Sequence, residues 1–212
     1  MKIGILGTGV VGNALGKGFL TLGHEVMMGA REAGNEKAAA FAAAGGAKAS
    51  AGTFAEASAF GDWIVLATLG TANESAIRQA GVERFAGKIV LDTTNPLAFG
   101  PNGPALSVGW SDSGGEQVQR LIPAAKVVKV FNTVGNALMF RPQLAGGPPS
   151  MFIAGDDADA KTAVGGMLTD FGWETIDLGG IEASRLLEPM CMAWVIHAIR
   201  SGNWGHAFKM LR

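Results

Sequence analysis

The 212-residue chain has one cysteine, no tyrosine and three histidines. A lone Cys191 excludes an internal disulfide and any metal site built from several thiolates. His24, His197 and His206 lack the spacing to carboxylates that a metal site needs, so no metal is expected. The missing tyrosine excludes a Tyr-based proton relay to a carbonyl substrate. Charge is also scarce: 17% of residues are charged and the net charge is −1, which gives no reason to expect nucleic acid as a partner. No apolar run reaches the roughly 18 residues that cross a bilayer. The opening Met1-Lys2-Ile3-Gly4-Ile5-Leu6-Gly7 is too short and glycine-rich for a signal peptide. A cytoplasmic protein with no membrane partner is expected.

What the chain does have is glycine, 32 of them, set between apolar runs within a composition that is 48% hydrophobic. That pattern suits an ordered core with many tight turns. Lys2 to Leu6 reads as a buried strand and Val10 to Leu22 as a helix ended by Gly23. Further strands are expected at Glu25–Met28, Ala47–Ser50, Trp63–Thr68, Lys88–Asp92 and Val127–Phe131. Helices are expected at Ala33–Ala44, Thr53–Phe60, Glu74–Gly81 and Glu116–Leu121, and the Gly/Pro-rich stretch Asn95–Gly109 reads as a long loop. A last β-α-β passage, Met151–Ala154, Ala158–Phe171 and Glu174–Asp177, precedes a long apolar helix from Ser184 to Arg200. The expected fold is α/β: a Rossmann-type doubly wound parallel sheet with a small, mainly helical C-terminal part. Residues 1–145 would form the dinucleotide-binding domain. Residues 146–212 would complete the sheet and carry the terminal helix.

The chemistry-bearing motif is Gly7-Thr8-Gly9-Val10-Val11-Gly12. A glycine-rich chain can produce GxGxxG by chance, but here it follows a strand and opens a helix. Gly7 would allow the tight turn, Gly9 the approach of a pyrophosphate, and Gly12 close packing of helix on strand. The second strand ends Met28-Gly29-Ala30-Arg31, without the acid that binds a ribose 2′-hydroxyl in NAD proteins. Arg31 can pair bidentately with a 2′-phosphate, with Lys37 assisting, so NADP(H) is the expected cofactor. Ligands in open α/β sheets lie across the C-terminal strand ends. That points to Ala67-Thr68-Leu69, to Asn95-Pro96 and to Asn132-Thr133 with Ala137. No lysine or histidine is expected at these ends, and no catalytic acid or base can be named.

Segments beyond the fingerprint carry a resemblance. Thr21-Leu22-Gly23-His24-Glu25-Val26, Gly29-Ala30-Arg31, Asp177-Leu178-Gly179, Ser184-Arg185-Leu186-Leu187-Glu188 and Gly205 through Leu211 resemble the NADPH-dependent deazaflavin (coenzyme F420) reductases. The likeness spans nearly the whole chain. It implies hydride transfer between a nicotinamide and a deazaflavin, with a small C-terminal part shaping the second coenzyme's cavity. It also implies that Thr8, Val10, Val11 and Arg31 meet the NADP phosphates, that Thr68 and Leu69 flank the nucleotide, and that Ala137 lies near the nicotinamide. One departure is Ala30, where the family often has Ser or Thr. Asp92 through Pro96 and Val128 through Thr133 look more like bacterial relatives of unknown second substrate and the reductase domain of metalloreductases. The acceptor is thus F420, a flavin such as FMN, or another small molecule.

Three functions remain open on the residues alone: hydride transfer between coenzymes, reduction of an imine or small carbonyl, and NADP(H) sensing without turnover. The helix from Leu186 to Ile199 is apolar around most of its circumference, more than one core-facing stripe requires. A homodimer that sandwiches this helix is expected.

Overall fold

The computed structural model describes residues 1–101 and 103–211. Its centre is a six-stranded parallel sheet in the order β3-β2-β1-β4-β5-β8. These strands are β1 (Lys2–Leu6), β2 (Glu25–Ala30), β3 (Ala49–Thr53), β4 (Trp63–Leu66), β5 (Ile89–Asp92) and, after the hairpin described below, β8 (Lys126–Lys129). The order reverses at β1 and β4, which creates the crevice where such sheets bind ligands.

The inner strands are apolar on both sides, as strands covered on both faces must be. Ile3, Ile5, Val65, Leu91 and Val128 face one core with Leu15, Phe19 and Phe171. Ile64, Leu66, Val90 and Val127 face the other, with Phe54, Ile77, Phe85 and Val118. The first core is covered by α1 (Val10–Thr21) and α6 (Ala158–Asp170), and the second by α3 (Phe54–Phe60), α4 (Asn73–Ala80) and α5 (Gly114–Leu121). α2 (Glu36–Gly45) adds Ala38 and Phe41 to the first. Local signals start these helices: Asn35 caps α2, Thr53 and Glu56 form a reciprocal capping box on α3, and Ser113 and Asp157 cap α5 and α6.

Two expectations are corrected. Residues 95–109 are not one open loop, because β6 (Leu97–Gly100) and β7 (Gly103–Leu106) form an antiparallel hairpin within them. Nor does the segment after residue 145 extend the main sheet. β9 (Ser150–Ile153) and β10 (Glu174–Asp177) pair with each other in parallel as a separate sheet. They meet the main sheet through one antiparallel bridge, Lys129 to Ala154. The crossing is close because residue 155 is glycine: a Cβ there would lie 2.6 Å from the Val127 carbonyl oxygen. Side chains from both parts nevertheless share one core, where Phe171 lies 4.9 Å ring to ring from Phe19.

The chain ends with α7 (Ser184–Ser201), stopped by Gly202 in the left-handed region. Its inner flank buries Leu187, Glu188, Cys191, Trp194 and Ala198, while Leu186, Ile196 and Ile199 stay exposed. The tail then runs back beside β9, where Ser150 N donates to the Phe208 carbonyl.

Candidate functional site

The three fingerprint glycines differ in what surrounds them. Gly7 has φ +129°, and a Cβ on it would lie 2.4 Å from the Ala67 carbonyl oxygen. At Gly12 a Cβ would meet the Gly7 carbonyl oxygen at 2.1 Å. Both are glycine because backbone packs on backbone there. A Cβ on Gly9, in contrast, has nothing within 4 Å. Its φ is −75°, which any residue can adopt. Sterics within the chain do not require glycine at position 9, and the open space in front of it is room for a ligand.

That space is a groove of about 350 Å³ reaching from Gly7, Gly9 and Val10 to Arg31 and on to Thr68 and Leu69. Thr8, Val11 and Ala67 also line it. α1 begins there with no side-chain cap and no acid in its first turn. Its first N–H groups and the positive end of its dipole therefore face the groove, as anion-binding helix starts do. Asn13 Nδ2 donates to the carbonyls of Thr8 and Gly9 and steadies the loop.

A second cavity of about 350 Å³ continues past Thr8 and Arg31 to Ala30, Glu32 and Asn35. Arg31 lines both, is exposed, and makes no ion pair among the described residues, not even with Glu32 beside it. Lys37 lines neither cavity. Asn35 caps α2 by accepting from the Lys37 and Ala38 N–H groups, and the Lys37 side chain lies on the exposed side of the helix.

Of the remaining strand-end residues, Asn95 and Asn132 with their neighbours Pro96 and Thr133 come together without lining that groove. Asn95 and Asn132 clasp each other: Asn95 Nδ2 donates to the Asn132 carbonyl, and Asn132 Nδ2 donates to Asn95 Oδ1 and to the Leu187 carbonyl of α7. Asn132 Oδ1 is buried with no partner among the described residues. Thr133 is buried beside it, and Pro96 receives both the N–H and the hydroxyl of Ser107. Gly70 brings the β4 end against this group, since a Cβ there would lie 2.1 Å from the Asn95 carbonyl oxygen. Ala137 sits exposed in the short 3-10 turn Asn136–Leu138, whose Leu138 packs on the first core.

Sequence reasoning missed the charged residues behind these ends. Lys129 closes β8 and is fully buried, which corrects the expectation that no lysine stands at a strand end. Its Nζ donates to Asp92 Oδ2 at 3.0 Å and to Glu188 Oε1 at 2.8 Å. Burial alone would pull the Lys129 ammonium down, but the two carboxylates outweigh it and hold it above the usual lysine range. Asp92 in turn accepts from the Thr94 hydroxyl, Thr94 from Asn73, and Asn73 from the Thr68 hydroxyl in the groove. One signal was present: Asp92 and Lys129 each directly follow a pair of apolar strand residues, and the structure pairs the two in register.

A larger cavity, about 1060 Å³, lies elsewhere, between residues 106–110 and the outer flank of α7. Leu106, Leu186, Pro189 and Met190 make it apolar, and Trp110 stands 97% exposed at its side. Its cation is Arg185, paired bidentately with Glu116, whose carboxyl the guanidinium holds below its ordinary range. Among the described residues no helix is long and apolar enough to cross a membrane.

Residues 2–96 match the model of the family described as NADP oxidoreductase, coenzyme F420-dependent. A crystal structure from Arthrobacter sp. FB24, provisionally assigned as an F420-dependent NADP reductase, is 37% identical over the whole of both chains, with a TM-score of 0.92. The rat metalloreductase STEAP3 is 28% identical over 188 residues, 88% of this chain; the chain spans 36% of that protein's length. A reductive aminase from Aspergillus terreus, solved with NADPH and ethyl-5-oxohexanoate, shares the fold at 19% identity and a TM-score of 0.68, over 95% of this chain and 62% of that one.

Proposed function

The chain belongs to the coenzyme F420-dependent NADP oxidoreductase family, and on that premise we propose that it passes hydride between NADP(H) and a deazaflavin or flavin acceptor in the cytoplasm. The carrying observation is Arg31, a free guanidinium at the junction of two contiguous cavities, beside a helix start with no cap. Residues 1–145 hold the nucleotide in this reading. Gly7, Thr8, Gly9, Val10, Val11 and Gly12 take the pyrophosphate, and Arg31 takes the 2′-phosphate. Ala67, Thr68 and Leu69 flank the nucleotide, and the nicotinamide end lies toward Asn95, Pro96, Asn132, Thr133 and Ala137. When bound, the cofactor supplies or accepts the hydride; the chain's own residues bind and orient it.

Hydride exchange between two coenzymes is favoured over imine or carbonyl reduction by what the strand ends offer. Thr68, Asn73 and Thr94 are committed to one another, and Asp92 and Lys129 are sealed beneath them. Reduction of an imine or carbonyl needs a proton donor at the substrate, and among the described residues these strand ends present no exposed acid, lysine or histidine. The test is to mix the protein with NADPH and, separately, coenzyme F420, FMN and an imine panel. The near-ultraviolet band of the reduced nicotinamide is then followed. Oxidation with F420 or FMN is expected; turnover of imines alone, or of nothing, overturns the reading.

Residues 146–212 contribute α7, and we place a homodimer interface on its exposed flank of Leu186, Ile196 and Ile199. Sedimentation equilibrium at micromolar concentration is expected to give about twice 21.8 kDa. A mass near 21.8 kDa would defeat the dimer.

A further inference from the structure

The Asp92–Lys129–Glu188 cluster has no part in the hydride transfer just proposed, yet it is expensive to bury. Each of the three side chains is at most 1% exposed. Two carboxylates against one ammonium leave one negative charge in excess. Both carboxyl groups act only as acceptors: Asp92 takes the Thr94 N–H and hydroxyl, and Glu188 takes the N–H groups of Gly114 and Gly115. Those two N–H groups open α5, whose positive end offsets part of the excess. A structure needing only mechanical ties between β5, β8 and α7 could use apolar packing there at similar or lower cost.

The position of the cluster suggests what the charge acts on. Asp92 pairs in register with Leu66, two residues before Thr68. Strand spacing and rise put it about 8 Å from Thr68 at the groove. The buried side chains of Asn73 and Thr94 bridge the interval by hydrogen bonds. On the proposed reading the nicotinamide end lies just past Thr94, toward Asn95 and Asn132, and a buried charge acts over such a short range with less screening by salt than an exposed one.

We propose that the Asp92–Lys129–Glu188 cluster biases the bound dinucleotide toward its oxidised form. The oxidised nicotinamide ring carries a positive charge and the reduced ring none, so excess negative charge beneath the strand ends favours the former. Bound NADPH thereby becomes a stronger hydride donor than free NADPH. The inference rests on the reading that this groove holds NADP(H).

The test is calorimetric titration of NADP+ and of NADPH, separately, into the full chain and three variants. Glu188→Gln removes one negative charge with little change of shape and is expected to raise the ratio Kd(NADP+)/Kd(NADPH) about threefold to tenfold. Tenfold corresponds to about 30 mV in the potential of a bound two-electron couple. Asp92→Asn is expected to move the ratio the same way, and Lys129→Met, which deepens the excess, the opposite way. Mechanical loosening weakens both forms alike and leaves the ratio still. An unchanged ratio in folded Glu188→Gln and Asp92→Asn overturns the proposal, as does a Lys129→Met shift of the same sign as theirs. Wild-type protein that binds neither form overturns the nucleotide reading beneath it.

Discussion

Gly9→Val is expected to abolish measurable NADPH binding, by a hundredfold or more, while the melting temperature stays within a few degrees of wild type. The argument turns on the difference between this glycine and its neighbours. A valine at position 12 would press its Cβ to within 2.1 Å of the Gly7 carbonyl, and one at position 7 would be forced into a positive φ of 129°. Both changes would damage the fold before any ligand arrives. At position 9 the backbone is extended and a Cβ meets nothing within 4 Å, so valine costs the apo protein little. Its two methyl groups would instead fill the space above the uncapped start of α1. A pyrophosphate held there gains charge-assisted hydrogen bonds worth about 1.5–3 kcal/mol each; losing two of them accounts for the hundredfold. Fluorescence titration with NADPH beside a thermal melt checks both halves. A Gly9→Val protein that binds like wild type shows the loop to be a turn and nothing more. One that unfolds shows a packing role that the open space argues against.

This contrast between glycines was half legible in the sequence. The spacing of Gly7, Gly9 and Gly12 after an apolar strand assigns each a role from the geometry of the turn alone. The inner strands were equally plain, since Trp-Ile-Val-Leu and Lys-Ile-Val-Leu-Asp carry apolar residues on both faces. What stayed hidden were contacts between segments far apart in the chain. Lys129 meets Asp92 at a separation of 37 residues and Glu188 at 59. No local period records that Glu188, one acid in an apolar helix, turns inward. The hairpin β6–β7 was hidden for another reason. Leu97-Ala98-Phe99-Gly100 and Gly103-Pro104-Ala105-Leu106 lack the apolar–polar alternation that marks a strand, and most of these residues are not buried. The β9–α6–β10 unit was read correctly as a unit and misplaced in the sheet. Its own pattern says that it has two buried strands, not which edge they meet; that choice falls to Gly155, where the chain crosses Val127.

The cofactor's phosphate gives the other large effect. Arg31→Ala is expected to weaken NADPH about 30- to 150-fold, or about 2–3 kcal/mol, and NADH by no more than a few fold. β2 ends at Ala30, which has no hydroxyl to share a phosphate, and Lys37 projects from the exposed side of a helix whose start is fixed by Asn35. On the proposed reading the guanidinium is thus the cation expected to meet the 2′-phosphate. It is available to do so because it makes no ion pair among the described residues, and it lines the cavity on both sides of Thr8. Glu32 lines the same second cavity and opposes a phosphate there. Removing Arg31 accordingly leaves an acid facing the ligand, and the loss for NADPH exceeds that of one ordinary hydrogen bond. With the 2′-phosphate absent, neither the attraction nor the repulsion applies, and NADH is indifferent. Lys37→Ala is the control, expected to change NADPH affinity less than twofold. Equal losses for the two cofactors on Arg31→Ala would make Arg31 a general contact of the nucleotide and withdraw the preference for NADP(H).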